Sequence, residues 1–142
     1  MMEPQLRQRH VNITCTLPKE PALIFGDRMR YEQVIINLLR NALDATKSVR
    51  DPSIDILLAV GDTVTLSVRD NGEGIDDHDA LFEPFYTTKQ PGDGVGLGLA
   101  ISSGIVSDLG GRLTARNASA AGAVFEVQLP IWKEDEEISA AE

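Results

Sequence analysis

The sequence predicts an α/β fold, a two-layer α/β sandwich whose mostly antiparallel sheet is covered on one face by helices. The order of elements is the first reason. The chain reads β, α, β, β, loop, α, β, β, which separates helices from strands as layers rather than alternating them. The second is that the strand-like runs are β-branched and bounded by turn residues. The third is size: 142 residues, 42% of them hydrophobic, suit one core and leave little room for a second.

Residues 1–9 are polar and are expected to form a disordered leader. From His10 to Leu17, the residues Val11, Ile13, Cys15 and Leu17 fall on one side, the alternation of a half-buried strand. Turn residues then surround Ala22-Leu23-Ile24-Phe25, and Asp27 is placed to cap a helix running to about Lys47. Asp51-Pro52-Ser53 ends that pattern, and β-branched runs at 54–60 and 63–68 flank Gly61-Asp62, a hairpin signal. The second run leads into Asp70-Asn71-Gly72-Glu73-Gly74-Ile75, whose glycines permit a sharp turn and a close approach to a ligand.

Residues 76–81 suit a short helix, and 83–98, broken by Pro84, Pro91 and repeated glycines, suit a long mobile loop. Leu97, Ile101, Ile105 and Leu109 then have helical spacing, and Gly110-Gly111 stops that helix. Strands at 112–116 and 123–129 close the sheet, Pro130 ends it, and 132–142 is an acidic tail. The core domain is therefore expected to span 10–131.

Lys and Arg number 13 against 22 Asp and Glu, a formal charge of −9. That balance argues against non-specific binding to nucleic acid or to an anionic membrane surface. A nucleotide is still compatible, because Mg2+ and oriented backbone N–H groups hold phosphate where net charge would not. Cys15 is the single cysteine, which suits a reduced, cytoplasmic setting. No apolar run approaches the roughly 18 residues of a membrane span, so this domain is expected to make no direct membrane contact. An inner-membrane anchor elsewhere in a parent protein stays open.

Within the first helix, Asn37, Asn41 and Asp44 fall at i, i+4 and i+7, on one face beside apolar stripes. Buried amides without partners would cost roughly 1–3 kcal/mol each, so a bound metal with a phosphate ligand is the candidate reason for them. The bland alternative is an exposed polar face. Asp70-x-Gly72-x-Gly74 is by itself a common turn, and Gly94-x-Gly96-x-Gly98 fits neither a dinucleotide fingerprint nor a P-loop. His10, His78 and Cys15 lack metal-ligand spacing.

In this order, the Asn37–Asp44 seam, the Asp70 turn and Gly94-Val95-Gly96-Leu97-Gly98-Leu99 together resemble the ATP-binding domain of bacterial sensor histidine kinases. Between the last two, Phe82-Glu83-Pro84-Phe85-Tyr86-Thr87-Thr88-Lys89 resembles the phenylalanine box of the nitrogen-regulation and dicarboxylate-sensing branch. The wider superfamily includes type II topoisomerases, a heat-shock chaperone and mismatch-repair ATPases.

The resemblance implies roles for particular residues. Asp70 would accept from the exocyclic amine of adenine, with Gly72, Gly74 and Ile75 against the base. Asn41 would be the Mg2+ ligand, with Asn37 beside it. Gly94, Val95, Gly96, Leu97, Gly98 and Leu99 would turn free N–H groups and a helix N-terminus toward the phosphates. Phe85, Thr87, Thr88 and Lys89 would belong to the nucleotide lid, with Lys89 joining Asn37 and Asn41 as a catalytic candidate. Phe82 and Phe85 also suit packing anchors, and 87–89 also suits a solvated loop. Many kinases carry a basic residue where this chain has Asp44, so Lys47 is an alternative phosphate contact.

The superfamily's ATPases place a water-activating glutamate one turn before the magnesium asparagine, where this chain has Asn37. An amide is not a general base, which favours transfer of the γ-phosphoryl over hydrolysis. Neither His10 nor His78 has the setting of the family's acceptor histidine, so the acceptor is expected on a separate dimerisation domain, with a response regulator downstream. Two other readings stand beside this one: an ATPase of the same superfamily, for which Glu32 is the nearest carboxylate but faces elsewhere, and a non-catalytic nucleotide-sensing module.

Overall fold

A computed structural model describes residues 10–19, 28–75 and 98–131. The expected leader at 1–9, the Asp27 cap, the short helix at 76–81, most of the 83–98 loop and the tail at 132–142 lie outside those residues. Two helices, α1 (Arg28–Ala45) and α2 (Gly98–Asp108), accompany five strands: β1 (Asn12–Thr16), β2 (Ser53–Val60), β3 (Thr63–Asp70), β4 (Arg112–Asn117) and β5 (Ala123–Pro130). The strands form one sheet in the order β1-β2-β3-β5-β4. β1 runs parallel to β2, and every other pair is antiparallel.

Register decides which side chains enter the core. Val68 faces Phe125 and Leu66 faces Val127 across β3–β5, while Ile56 faces Val68 across β2–β3. These rows share one face because side chains alternate with a period of two. On that face Ile54, Val68, Leu113, Phe125 and Val127 pack with Val34, Leu38 and Ala42 of α1 and Val106 of α2. Asp70 continues the inward row of Val64, Leu66 and Val68, so its carboxylate is carried to the core side at the end of β3.

α1 buries Val34, Leu38 and Ala42, spaced by four, together with Leu43. Beyond its last turn the buried Thr46 hydroxyl donates to the carbonyls of Ala42 (3.0 Å) and Leu43 (3.2 Å). α2 ends at Gly110-Gly111 as expected, with the Gly111 amide donating back to the Val106 carbonyl at 2.9 Å. An exposed ion pair, Arg30 to Asp108 at 2.9 Å, joins the two helices and adds little stability.

Three expectations are corrected. All five residues of β1 are exposed rather than alternately buried. β1 is an edge strand paired with β2, and its alternating sequence does not distinguish an edge from the interior. His10, expected within that strand, sits in a turn just before it. In α2 the fully buried residues are Ser102 and Val106, whereas Ile101 of the expected apolar stripe is 47% exposed. The helix is rotated to bring Ser102 against α1. No described helix is long and apolar enough to cross a membrane.

Candidate functional site

Asp70 is 2% exposed. Its Oδ1 accepts from the backbone N–H of Gly72 at 2.9 Å and of Ala123 at 3.3 Å. Its Oδ2 is buried and has no hydrogen-bond partner among the described residues. Burial pushes the carboxyl pKa up; the two amides pull it down, and the nearby Glu73 charge raises it again. A buried acceptor left empty costs roughly 1–3 kcal/mol, so the arrangement suits a ligand that brings its own donor. An exocyclic amine on a heterocyclic base has that chemistry.

The turn after Asp70 is wedged against its surroundings. A Cβ on Gly72 would collide with the carbonyl of Ala45, the last residue of α1, and the Glu73 amide donates to that same carbonyl at 3.3 Å. Only glycine lets the turn lie so close to the helix end. Asn71 accepts from the Ser53 amide and donates to the Asp51 carbonyl, both at 2.9 Å. The segment is thereby tied to α1 and to the approach to β2. Gly74 and Ile75 follow, both half-buried, with Ile75 against the core.

The polar face of α1 differs from its expectation at Asn37. Gln33 donates to Asn37 Oδ1 at 2.9 Å, and Asn37 Nδ2 donates to the Gly98 carbonyl at 3.2 Å and to Ser102 Oγ at 3.0 Å. The amide is therefore satisfied by protein, and it fastens the first turn of α2 to α1. Asn41, one helical turn further, is half-buried, and its side chain makes no hydrogen bond among the described residues. Asp44 is half-buried and Lys47 exposed, and each has an interaction of its own. Gly98 and Leu99 open α2, Leu99 packing against the core. Of the remaining candidates, Phe85, Thr87, Thr88, Lys89, Gly94, Val95, Gly96 and Leu97 lie outside the described residues.

Four contributors already described were not anticipated: Gln33, Asn71, Ser102 and Ala123. Ser102 carries the one available signal, a small polar residue between apolar positions of a short helix. Gln33 acts on Asn37 one helical turn away, whereas Asn71 and Ala123 act on partners distant in sequence. Among the described residues no group of three His, Cys, Asp or Glu could hold a metal. A divalent ion at Asn41 would depend on oxygen atoms that arrive with a ligand.

A family model described as histidine kinase-, DNA gyrase B-, and HSP90-like ATPase matches residues 26–133. The chain belongs to this family. Within it, the similarity is to sensor kinases. The two-component sensor PprA of Pseudomonas aeruginosa is 41% identical over 134 residues, which are 89% of this chain and 14% of that protein. The C4-dicarboxylate transport sensor protein DctB of Rhizobium meliloti is 45% identical over 121 residues, 82% of this chain and 19% of that protein. The chain thus spans a small part of either relative. The catalytic domain of histidine kinase ThkA superposes with a TM-score of 0.78 at 32% identity, covering 91% of this chain and 84% of that one. A further match, at a TM-score of 0.74 and 28% identity, is ThkA in complex with the response regulator TrrA, covering 91% of this chain and 36% of that one. The domain is an ATP-binding domain of the sensor histidine kinase type, and its sheet and two described helices match that architecture.

Proposed function

We propose that this domain binds Mg-ATP and gives the γ-phosphoryl to a histidine on a separate dimerisation domain of the parent protein. Asp70 Oδ2 accepts from the adenine amine, and Gly72, Gly74 and Ile75 border the base. Asn41 is the protein ligand that fits Mg2+, which when bound neutralises phosphate charge. The start of α2 at Gly98 and Leu99, together with 94–97, offers backbone N–H groups to the phosphates. Lys89, Thr87, Thr88 and Phe85, outside the described residues, are the remaining residues proposed to contact the nucleotide.

The observation that carries transfer over hydrolysis is the state of Asn37. Its amide is held by Gln33, Gly98 and Ser102 and has no capacity to deprotonate water. Glu32, the nearest upstream carboxylate, is exposed and paired with Arg28 at 2.9 Å. In the reaction a histidine imidazole nitrogen attacks the γ-phosphorus, the bond to the bridging oxygen breaks, ADP leaves, and the imidazole proton passes to solvent. A response regulator would then take the phosphoryl group. The setting is cytoplasmic, where ATP is available, and neither nucleic acid nor the membrane is a direct partner.

The test supplies γ-labelled ATP, Mg2+, this chain and the histidine-bearing dimerisation segment of its parent protein. Acid-labile, base-stable label on the segment, and none on this chain alone, is expected. Release of inorganic phosphate at a rate independent of the segment would overturn the reading.

A further inference from the structure

Asn117, the last residue of β4, grips the exit of the Asp70 turn. Its Oδ1 accepts from the Ile75 amide at 2.7 Å, and its Nδ2 donates to the Ile75 carbonyl at 3.4 Å. One side-chain amide thus meets both polar groups of one backbone residue, as a neighbouring strand would. The acceptor contact is the stronger of the two. Gly74, immediately before Ile75, has φ of +84°, and a Cβ there would stand 2.9 Å from Asn117 Oδ1. Glycine at 74 and asparagine at 117 therefore form one device: the left-handed backbone at 74 presents the Ile75 amide, and the missing Cβ admits the oxygen that receives it.

The same hairpin holds the other end of the turn. Asn117 pairs with Ala123 across β4–β5, and Ala118 donates to the Gly122 carbonyl at 2.9 Å to close the connection. Ala123 then donates to Asp70 Oδ1 at 3.3 Å. A single hairpin end thus fixes Asp70 at the start of the segment and Ile75 at its finish. Asn117 is itself exposed, at the end of an edge strand, where it contributes nothing to the buried core.

We propose that Asn117 is a positioning residue for the base of the nucleotide, holding Ile75 at a set separation from Asp70 so that a purine bearing an exocyclic amine fits between them. The role rests on the nucleotide reading of the site, and acts through Ile75 rather than by touching the ligand. Asn117→Asp preserves the oxygen that receives the Ile75 amide, gives up the longer contact and sets a carboxylate oxygen against the Ile75 carbonyl. Asn117→Ala gives up both.

The experiment measures Mg-ATP and Mg-tripolyphosphate affinities of the full chain and of both variants, with hydrogen exchange at the Ile75 amide. Asn117→Ala is expected to weaken Mg-ATP binding about three- to tenfold, the equivalent of one lost hydrogen bond. Tripolyphosphate binding stays unchanged, Ile75 exchange accelerates, and Asn117→Asp restores part of both affinity and protection. Unchanged Mg-ATP affinity in Asn117→Ala would overturn the positioning role alone, since the unmodified chain binds. Equal losses for ATP and tripolyphosphate would also overturn it, showing a merely structural contribution. No Mg-ATP binding by the unmodified chain would overturn the nucleotide reading and this role together.

Discussion

Asn37 on α1 donates to the hydroxyl of Ser102 on α2 at 3.0 Å, joining the helix that carries Asn41 to the helix whose first turn follows the glycine-rich segment. The polar seam on α1 therefore has divided labour. Asn37 joins the two helices, and Asn41 is the residue proposed to meet a ligand.

Replacing Asn37 with Asp should expose that division. A carboxylate cannot donate to the Gly98 carbonyl or to Ser102, and it sets negative charge against that carbonyl. The chain should lose about 1–3 kcal/mol of stability, read as a lower urea midpoint with an unchanged slope. An unchanged midpoint would show that the bridge contributes nothing.

Asn41→Ala should behave in the opposite way. With no hydrogen bond from that side chain among the described residues, stability should stay within about 0.5 kcal/mol of the parent. The increment in ATP affinity produced by Mg2+ should disappear. An intact magnesium increment in a calorimetric titration would remove Asn41 from the metal site.

Two glycines should respond with opposite signs. Gly72→Ala drives a methyl into the Ala45 carbonyl and should cost about 1–3 kcal/mol. At Gly104, inside α2, an added Cβ meets nothing within 4 Å, so Gly104→Ala should stabilise by roughly 0.4–1 kcal/mol. Thermal unfolding of the pair checks both.

The raised pKa of Asp70 has a consequence for stability against pH. Between the ordinary carboxylate pKa and the raised folded value, the folded chain keeps a proton that the unfolded chain has lost. Stability contributed by this group therefore falls as pH rises through that window and is level above it. Asp70→Asn lacks the titration, so its stability relative to the parent should climb with pH across the window. A difference that stays flat in urea titrations would contradict the burial of the carboxyl.

Much of this was legible in the sequence. The bounds of α1, β2, β3, α2, β4 and β5 fall within a residue or two of their expected places, since each is flagged by local turn and cap chemistry. The turn at Asp70, Gly72 and Gly74 was legible for the same reason. The edge position of β1, the rotation of α2 toward Ser102 and the engagement of Asn37 were not, because hydrophobic period reports that a face is apolar and not what it meets. Ala123 and Asn117 were hidden further, since they reach Asp70 and Ile75 only through the long-range β3–β5–β4 pairing.

The most direct measurement is a calorimetric titration of Mg-ATP into the chain, following both the injection heats and the baseline after them. Saturating heats above a flat baseline are expected on the proposed reading, in which the acceptor histidine belongs to a separate domain. Sustained heat flow after saturation would mean steady hydrolysis and would contradict the assignment of this site to phosphoryl transfer.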